Sequence, residues 1–236
     1  MKNVLKTQKW TGIVTAIFLS VFFLVSCSKN DDNNNQPPVA GLMAFNLAPD
    51  QSSVAFLISG NSLTNMGLGY TNYTGSYLPI YTGTREVMAV NYFNGTPLAA
   101  STQTFADSSF YSNFLVGSNG QYKNIIVKDN FDVVTPVSGK AWVRYVNAIT
   151  DTTAQPTVTI GSQSSTAVFG TVSAFEQVAA GDLAVTVADG ANFSASRTIA
   201  VEENKIYTLL LVGQPGSSDP NLQVQVKFIQ NGTADN

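Results

Sequence analysis

Beyond residue 40 the chain is a succession of short apolar runs separated by turn-forming residues. Val54–Ile58, Val87–Val90, Ile125–Val127 and Tyr207–Val212 are such runs, and Gly, Asn, Asp, Ser or Pro bound most of them. Elsewhere the pattern alternates. Leu183, Val185 and Val187 interleave with Ala184, Thr186 and Ala188, and Val224, Val226 and Phe228 with Gln223, Gln225 and Lys227. A period of two belongs to a strand with one buried face. No segment after residue 40 carries a capped helical stripe. Short strands at this spacing predict a sandwich or barrel.

The pattern also repeats. Phe45–Asp50 parallels Tyr145–Asp151, Ser76–Gly83 parallels Ala174–Gly181, and Tyr111–Gly117 parallels Tyr207–Gly213. Each half runs in the same order: an Asn-ended strand, an aromatic strand ending in Gly, and a strand ending Leu-Val-Gly. The expectation is two tandem immunoglobulin-like or transthyretin-like antiparallel β-sandwich domains. Copy 1 covers 40–132, a linker 133–137, copy 2 138–232, and a tail 233–236. Each half is long enough for a seven-strand sandwich with its own core.

The N-terminus has a different character. Lys2, Lys6 and Lys9 precede an apolar run from Gly12 to Val25. That run, about 14 residues, is short of the roughly 20 that span a bilayer as a helix. It ends in Leu24-Val25-Ser26-Cys27, which resembles the lipobox of lipoprotein signal peptidase. Residues 1–26 therefore read as a signal peptide and Cys27 as the lipidation site. Cys27 is the single cysteine, so no disulfide competes for it. Acyl chains on it would anchor the protein, since two or more lipid signals bind membranes stably. Residues 27–39, polar and ending in Pro37-Pro38, read as a flexible tether. Lys29 followed by Asp31 and Asp32 resembles the surface-export signal of Bacteroidota lipoproteins, with Asn30 intervening. The expected location is the outer membrane, exposed at the cell surface, with its periplasmic face as the alternative.

Charge and composition remove function classes. Cutting before Cys27 leaves 9 basic against 15 acidic residues, net −6. Nucleic-acid phosphates need a basic face, so no nucleic-acid partner is expected. The chain has no histidine. That excludes Ser-His-Asp and Cys-His catalysis and imidazole metal sites. Gly67-Leu68-Gly69 begins like a dinucleotide loop, but Asn72 stands at the third glycine position and no helix follows. No cofactor is expected. Paired carboxylates of a glycosidase remain the enzymatic alternative. Glu202-Glu203 offers two in sequence but reads as a hairpin turn, and Glu86 and Glu176 are isolated. Asp129 and Asp132, with Asp50, are the weak calcium candidates, because hard oxygen ligands on loops suit that ion. The regular EF-hand spacing is missing, and turn chemistry is the competing account.

The aromatic residues point elsewhere. Seven of nine tyrosines lie in copy 1: Tyr70, Tyr73, Tyr77, Tyr81, Tyr92, Tyr111 and Tyr122. Tyrosine offers a stacking face and a hydroxyl, the combination that a sugar or protein surface uses. Tyr77 and Tyr111 have counterparts in Phe175 and Tyr207 and read as structural. Tyr70, Tyr73 and Tyr81 are the candidate ligand platform, against a competing role in cross-strand packing.

Val143–Ala148, Phe169–Phe175, Val178–Leu183 and Tyr207–Leu209 together resemble the domain-of-unknown-function 4397 family. The resemblance implies a tandem β-sandwich fold and an envelope location, and carries no catalytic residues. The expected function is a non-enzymatic binding, adhesion or scaffold module for glycan or protein, anchored by lipid on Cys27. The alternatives are the carboxylate glycosidase and a purely structural spacer.

Overall fold

The computed structural model describes residues 37–234. The signal segment, Cys27 and residues 28–36 of the tether lie outside the described residues. The first repeat contains β1 (Val39–Asn46), β2 (Val54–Ile58), β3 (Asn61–Ser62), β4 (Leu78–Tyr81), β5 (Gly83–Asn91), β6 (Pro97–Phe105), β7 (Phe110–Ser118) and β8 (Gln121–Lys128). One 3-10 turn, Phe131–Val133, follows. The second repeat contains β9 (Lys140–Ile149), β10 (Thr157–Ile160), β11 (Gln163–Thr166), β12 (Glu176–Ala179), β13 (Gly181–Asp189), β14 (Phe193–Val201), β15 (Lys205–Gly213) and β16 (Gln225–Thr233).

Each repeat builds two four-stranded sheets with the same strand order. In the first these are β4-β1-β7-β8 and β3-β2-β5-β6; in the second, β12-β9-β15-β16 and β11-β10-β13-β14. The fold is all-β, with eight strands per repeat where seven were expected. Pairing is antiparallel except for β1 with β7 and β9 with β15, which are parallel.

The repeat extends to single side chains. Asn46 and Asn147 are both buried. Their side-chain oxygens accept the N–H two residues on, from Ala48 (3.1 Å) and Ile149 (3.0 Å), and their amides donate to loop carbonyls. The buried Tyr111 and Tyr207 hydroxyls both accept the backbone N–H five residues earlier, from Ala106 and Glu202. The Leu-Val-Gly signature also has a physical cause. Gly117 and Gly213 have φ of 105° and 125°, and a Cβ there would stand 2.0 Å from Gln121 O or 2.4 Å from Gln223 O. Only glycine accepts that backbone and that approach.

Most of the core lies in three regions, and a small cluster of Val134, Ile206 and Ala234 lies apart from them. Leu42, Phe56, Val87, Phe105, Tyr111 and Leu115 fill the first sandwich. Val143, Val158, Val185, Ile199 and Leu209 belong to the core of the second. A further cluster lies between the repeats, where Met43, Phe45, Leu47, Phe114 and Val116 pack with Val146, Ala148, Leu210, Val212 and Ile229. Sheets β4-β1-β7-β8 and β12-β9-β15-β16 are therefore covered on both faces. This explains why β7 and β15 are buried nearly end to end while β13 alternates. A strand with two buried faces reads as a continuous apolar run.

Candidate functional site

The sheet orders leave β3 and β4 as edge strands on the same side of the first sandwich. Between them lies an open groove of about 410 Å³. Ile58, Leu63, Pro79 and Tyr81 give it apolar walls, and Asn61 and Arg85 bring polar groups. Tyr81 is 61 % exposed. The Arg85 guanidinium is held at the rim, donating from Nη2 to Thr82 O (2.8 Å) and from Nε to Tyr81 O (3.3 Å).

The β4 edge is a poor template for strand addition. Thr82 N–H donates to Pro38 O (3.3 Å), which sets the 40/80 and 42/78 pairs as the hydrogen-bonded ones. The backbone of Pro79 and Tyr81 then faces outward. Pro79 has no N–H and Arg85 occupies the Tyr81 carbonyl, so an incoming strand finds few partners. What the groove offers is its side chains.

The second repeat has a groove of about 220 Å³ at the same place, between β11 and β12. Its lining sets the polar Gln163, Ser164, Ser165 and Gln177 and the carboxylate of Glu176 beside an apolar floor that includes Val158 and Ile160. Ala179 stands at the Tyr81 position, since Ser76–Gly83 parallels Ala174–Gly181. The aromatic residue of this second groove is Tyr145, buried and within 3.2 Å of Ser165 Oγ, whereas Tyr81 gives the first groove an exposed ring.

The candidate tyrosines do not form one platform. Tyr73 stacks on Phe45 with ring centroids 5.3 Å apart, and it packs with Tyr70 against the core between the repeats. Burial raises the Tyr70 phenol above its ordinary pKa. Tyr81 alone reaches the groove. The chain turns at Gly75 (φ 80°), so Tyr73, Tyr77 and Tyr81 do not share a strand face as their spacing suggested. Among the seven tyrosines of the first repeat, only Tyr81 and Tyr92 are exposed.

The acidic candidates are also dispersed. Asp129 is buried and ion-paired with Arg144. It belongs to a closed hydrogen-bond circuit across the repeats. Arg144 donates from Nε to Thr208 Oγ1 (3.0 Å), from Nη1 to Asp129 Oδ1 and from Nη2 to Ser112 Oγ (2.8 Å). Thr208 donates to Asn231 Oδ1 (2.6 Å), and Asn231 Nδ2 to Tyr77 Oη (3.3 Å). Tyr77 and Ser112 both donate to Asp129 Oδ2 at 2.6 Å. Phe175 covers the guanidinium, with its centroid 4.5 Å from Cζ. Burial first, and Asp129 beside it, hold the Tyr77 phenol above its ordinary pKa. Asp132 is exposed on the 3-10 turn, and Asp50 accepts from Tyr122 Oη and Asn119 N, each at 2.7 Å. Among the described residues no three His, Cys, Asp or Glu side chains converge. Glu202 and Glu203 sit exposed on the turn between β14 and β15. Sequence reasoning missed the circuit. A lone Arg144 inside an apolar strand was its one visible signal.

A model of the DUF4397 family, a domain of unknown function, matches residues 40–160. The chain belongs to this family. In this DUF4397 protein the match covers the first repeat, the linker, β9 and β10. It includes Val143–Ala148 among the segments that carry the resemblance and ends before the others. No curated protein matches the chain. A family 26 carbohydrate-binding module from Eubacterium rectale, crystallised with maltoheptaose, is 9 % identical. That alignment covers 82 % of this chain and 97 % of the module, with a TM-score of 0.26. A candidate cell adhesion protein from Bacteroides eggerthii is 12 % identical over 84 % of this chain and 98 % of its own, with a TM-score of 0.21. Likenesses at these TM-scores carry no weight for what the DUF4397 chain binds.

Proposed function

We propose that this DUF4397 protein is a non-enzymatic envelope lipoprotein, anchored through Cys27, whose first repeat binds glycan in the groove between β3 and β4. The observation that carries the reading is the exposed Tyr81 on a groove of about 410 Å³, where the second repeat has Ala179. Ligand sites have this size and this mix of apolar wall and few polar groups. A sugar ring can lie on the tyrosine face while Asn61 and Arg85 meet its hydroxyls. The blunted β4 edge disfavours a peptide strand as ligand. No Asp or Glu lines the groove, so the reading is binding without hydrolysis. Anchoring at the outer membrane, with the body facing the cell exterior, follows from the lipobox and the Lys29-Asn30-Asp31-Asp32 stretch.

A glycan array probed with the full-length protein in detergent tests the groove. Binding that Tyr81→Ala abolishes, with melting unchanged, supports it. Binding indifferent to Tyr81 removes the groove from the reading, and release of sugar would restore the glycosidase alternative. Metabolic labelling with a fatty-acid analogue tests the anchor, since Cys27→Ala should lose the label.

A further inference from the structure

At the opposite end of the first sandwich stands a second surface that the groove does not use. β2 connects the two places: Ile58 lines the groove, while Val54 pairs with Asn91 and bridges to Leu68. Four strand steps separate them, about 13 Å. Here the β5–β6 turn presents Tyr92 and Phe93, 44 % and 74 % exposed, with rings at 73° and centroids 5.7 Å apart. Met66, 75 % exposed, rises from the neighbouring loop. Beside it runs a groove of about 540 Å³ with Asn65, Leu68, Asn72, Tyr73 and Thr74 among its walls.

This end is held in shape. A Cβ at Gly67 would stand 2.6 Å from Tyr92 Cγ and 2.1 Å from Ser53 Oγ, so loop and aromatic turn meet in close contact. Asn91 Oδ1 accepts the N–H of Phe93 (3.0 Å) and Asn94 (3.3 Å). Its amide donates to Gln51 Oε1 (3.2 Å), whose own amide donates to Tyr122 Oη (2.7 Å). The outward Phe93 ring and Met66 thioether add little to the core, and a backbone held in this shape lowers the entropic cost of binding.

The chemistry restricts the occupant. No charged residue lines this groove: from Gln51 to Ala106 the only ones are Arg85 and Glu86, and Lys227 of the second repeat, which reaches the same loop, is held by Thr71 Oγ1 at 2.8 Å. Amides and hydroxyls alternate with ring and thioether faces. Asparagine both donates and accepts, as a sugar hydroxyl does. We infer that this end of the first repeat binds an oligosaccharide of neutral hexoses, laid along the groove and across Phe93. No residue lines both grooves, so this site stands or falls apart from the one at Tyr81.

The four methionines make the test local, because Met66 carries a methyl at the site while Met43 is buried between the repeats. Methyl-labelled full-length protein in detergent is titrated with maltohexaose, cellohexaose and mannohexaose, and with an oligogalacturonate as the charged control, to about 10 mM, which reaches weak carbohydrate affinities. The expected result is a saturable shift of the Met66 methyl with at least one neutral oligomer and a still Met43. Phe93→Ser should weaken that response at least tenfold without changing the melt, and Tyr81→Ala should leave it intact. A still Met66 with every neutral oligomer, a response to the charged one alone, or an equal response in Phe93→Ser overturns the inference.

Discussion

Arg144, in the second repeat, forms a buried ion pair with Asp129, the residue that follows the last strand of the first repeat. The pair ties the two sandwiches through a circuit in which every partner is itself hydrogen-bonded. Such satisfaction makes burial of two charges tolerable, since each ion loses its hydration on folding. The circuit also gives the junction directional bonds, which an apolar contact alone does not have.

Removing one partner of this pair is expected to cost far more than removing both. Asp129→Leu leaves the guanidinium buried without its counter-charge, Arg144→Met leaves the carboxylate so, and each should destabilise the protein by about 3–5 kcal/mol. The double variant Asp129→Leu with Arg144→Met should recover most of that loss. Urea unfolding of the two single variants and the double one checks it. Additive losses would mean that the two side chains do not act as a pair.

Separated repeats should be less stable than the joined body. Cutting at the linker bares Phe45, Phe114, Val146 and Leu210, all buried between the sandwiches. Such a patch favours association and lowers the melting temperature. Expression of 37–132 and 138–234, with thermal melts and sedimentation, tests this. If each half melts monomerically at the temperature of the whole, the shared core contributes no stability.

Alkali should loosen the same junction. Burial and Asp129 raise the Tyr77 phenol above its ordinary value, and burial does the same to Tyr70. Above about pH 10 the unfolded chain loses these protons while the folded one keeps them. The stabilisation is therefore complete below that pH and declines as pH rises toward the folded values. Unfolding free energies between pH 8 and 11 should fall in the wild type and fall less steeply in Tyr77→Phe. Parallel slopes would show that Tyr77 ionises alike in both states.

The core of the first sandwich contains a polar defect. Asn113 is fully buried, and neither its amide nitrogen nor its oxygen has a hydrogen-bond partner. Leu209 stands at the matching position in the second repeat, where the sandwich core is one cluster and not two. An unmade buried hydrogen bond costs about 1–3 kcal/mol, so Asn113→Leu should stabilise the protein by a similar amount. A rise in melting temperature is the expected reading. A fall would show that the amide is satisfied in solution.

The sequence by itself determined the strands and their doubling. Alternation at Leu183, Val185 and Val187 fixed one face of β13, because successive side chains of a strand point oppositely. Gly117 and Gly213 marked the same hairpin twice, because no other residue fits there. The unbroken run at Leu209–Val212 carried the information that both faces of β15 are covered, but not by what. Hydrophobic pattern records that a side chain leaves water, not which distant surface receives it. Only the tertiary structure decided that the cover is the other repeat. It also sorted the tyrosines: Tyr73 went into the shared core, Tyr77 into the circuit and Tyr81 to the surface. Asp129 met Arg144 and Tyr77 met Asn231 across 15 and 154 positions of chain. Those contacts depend on how two sheets are laid face to face, a relation that no local spacing encodes.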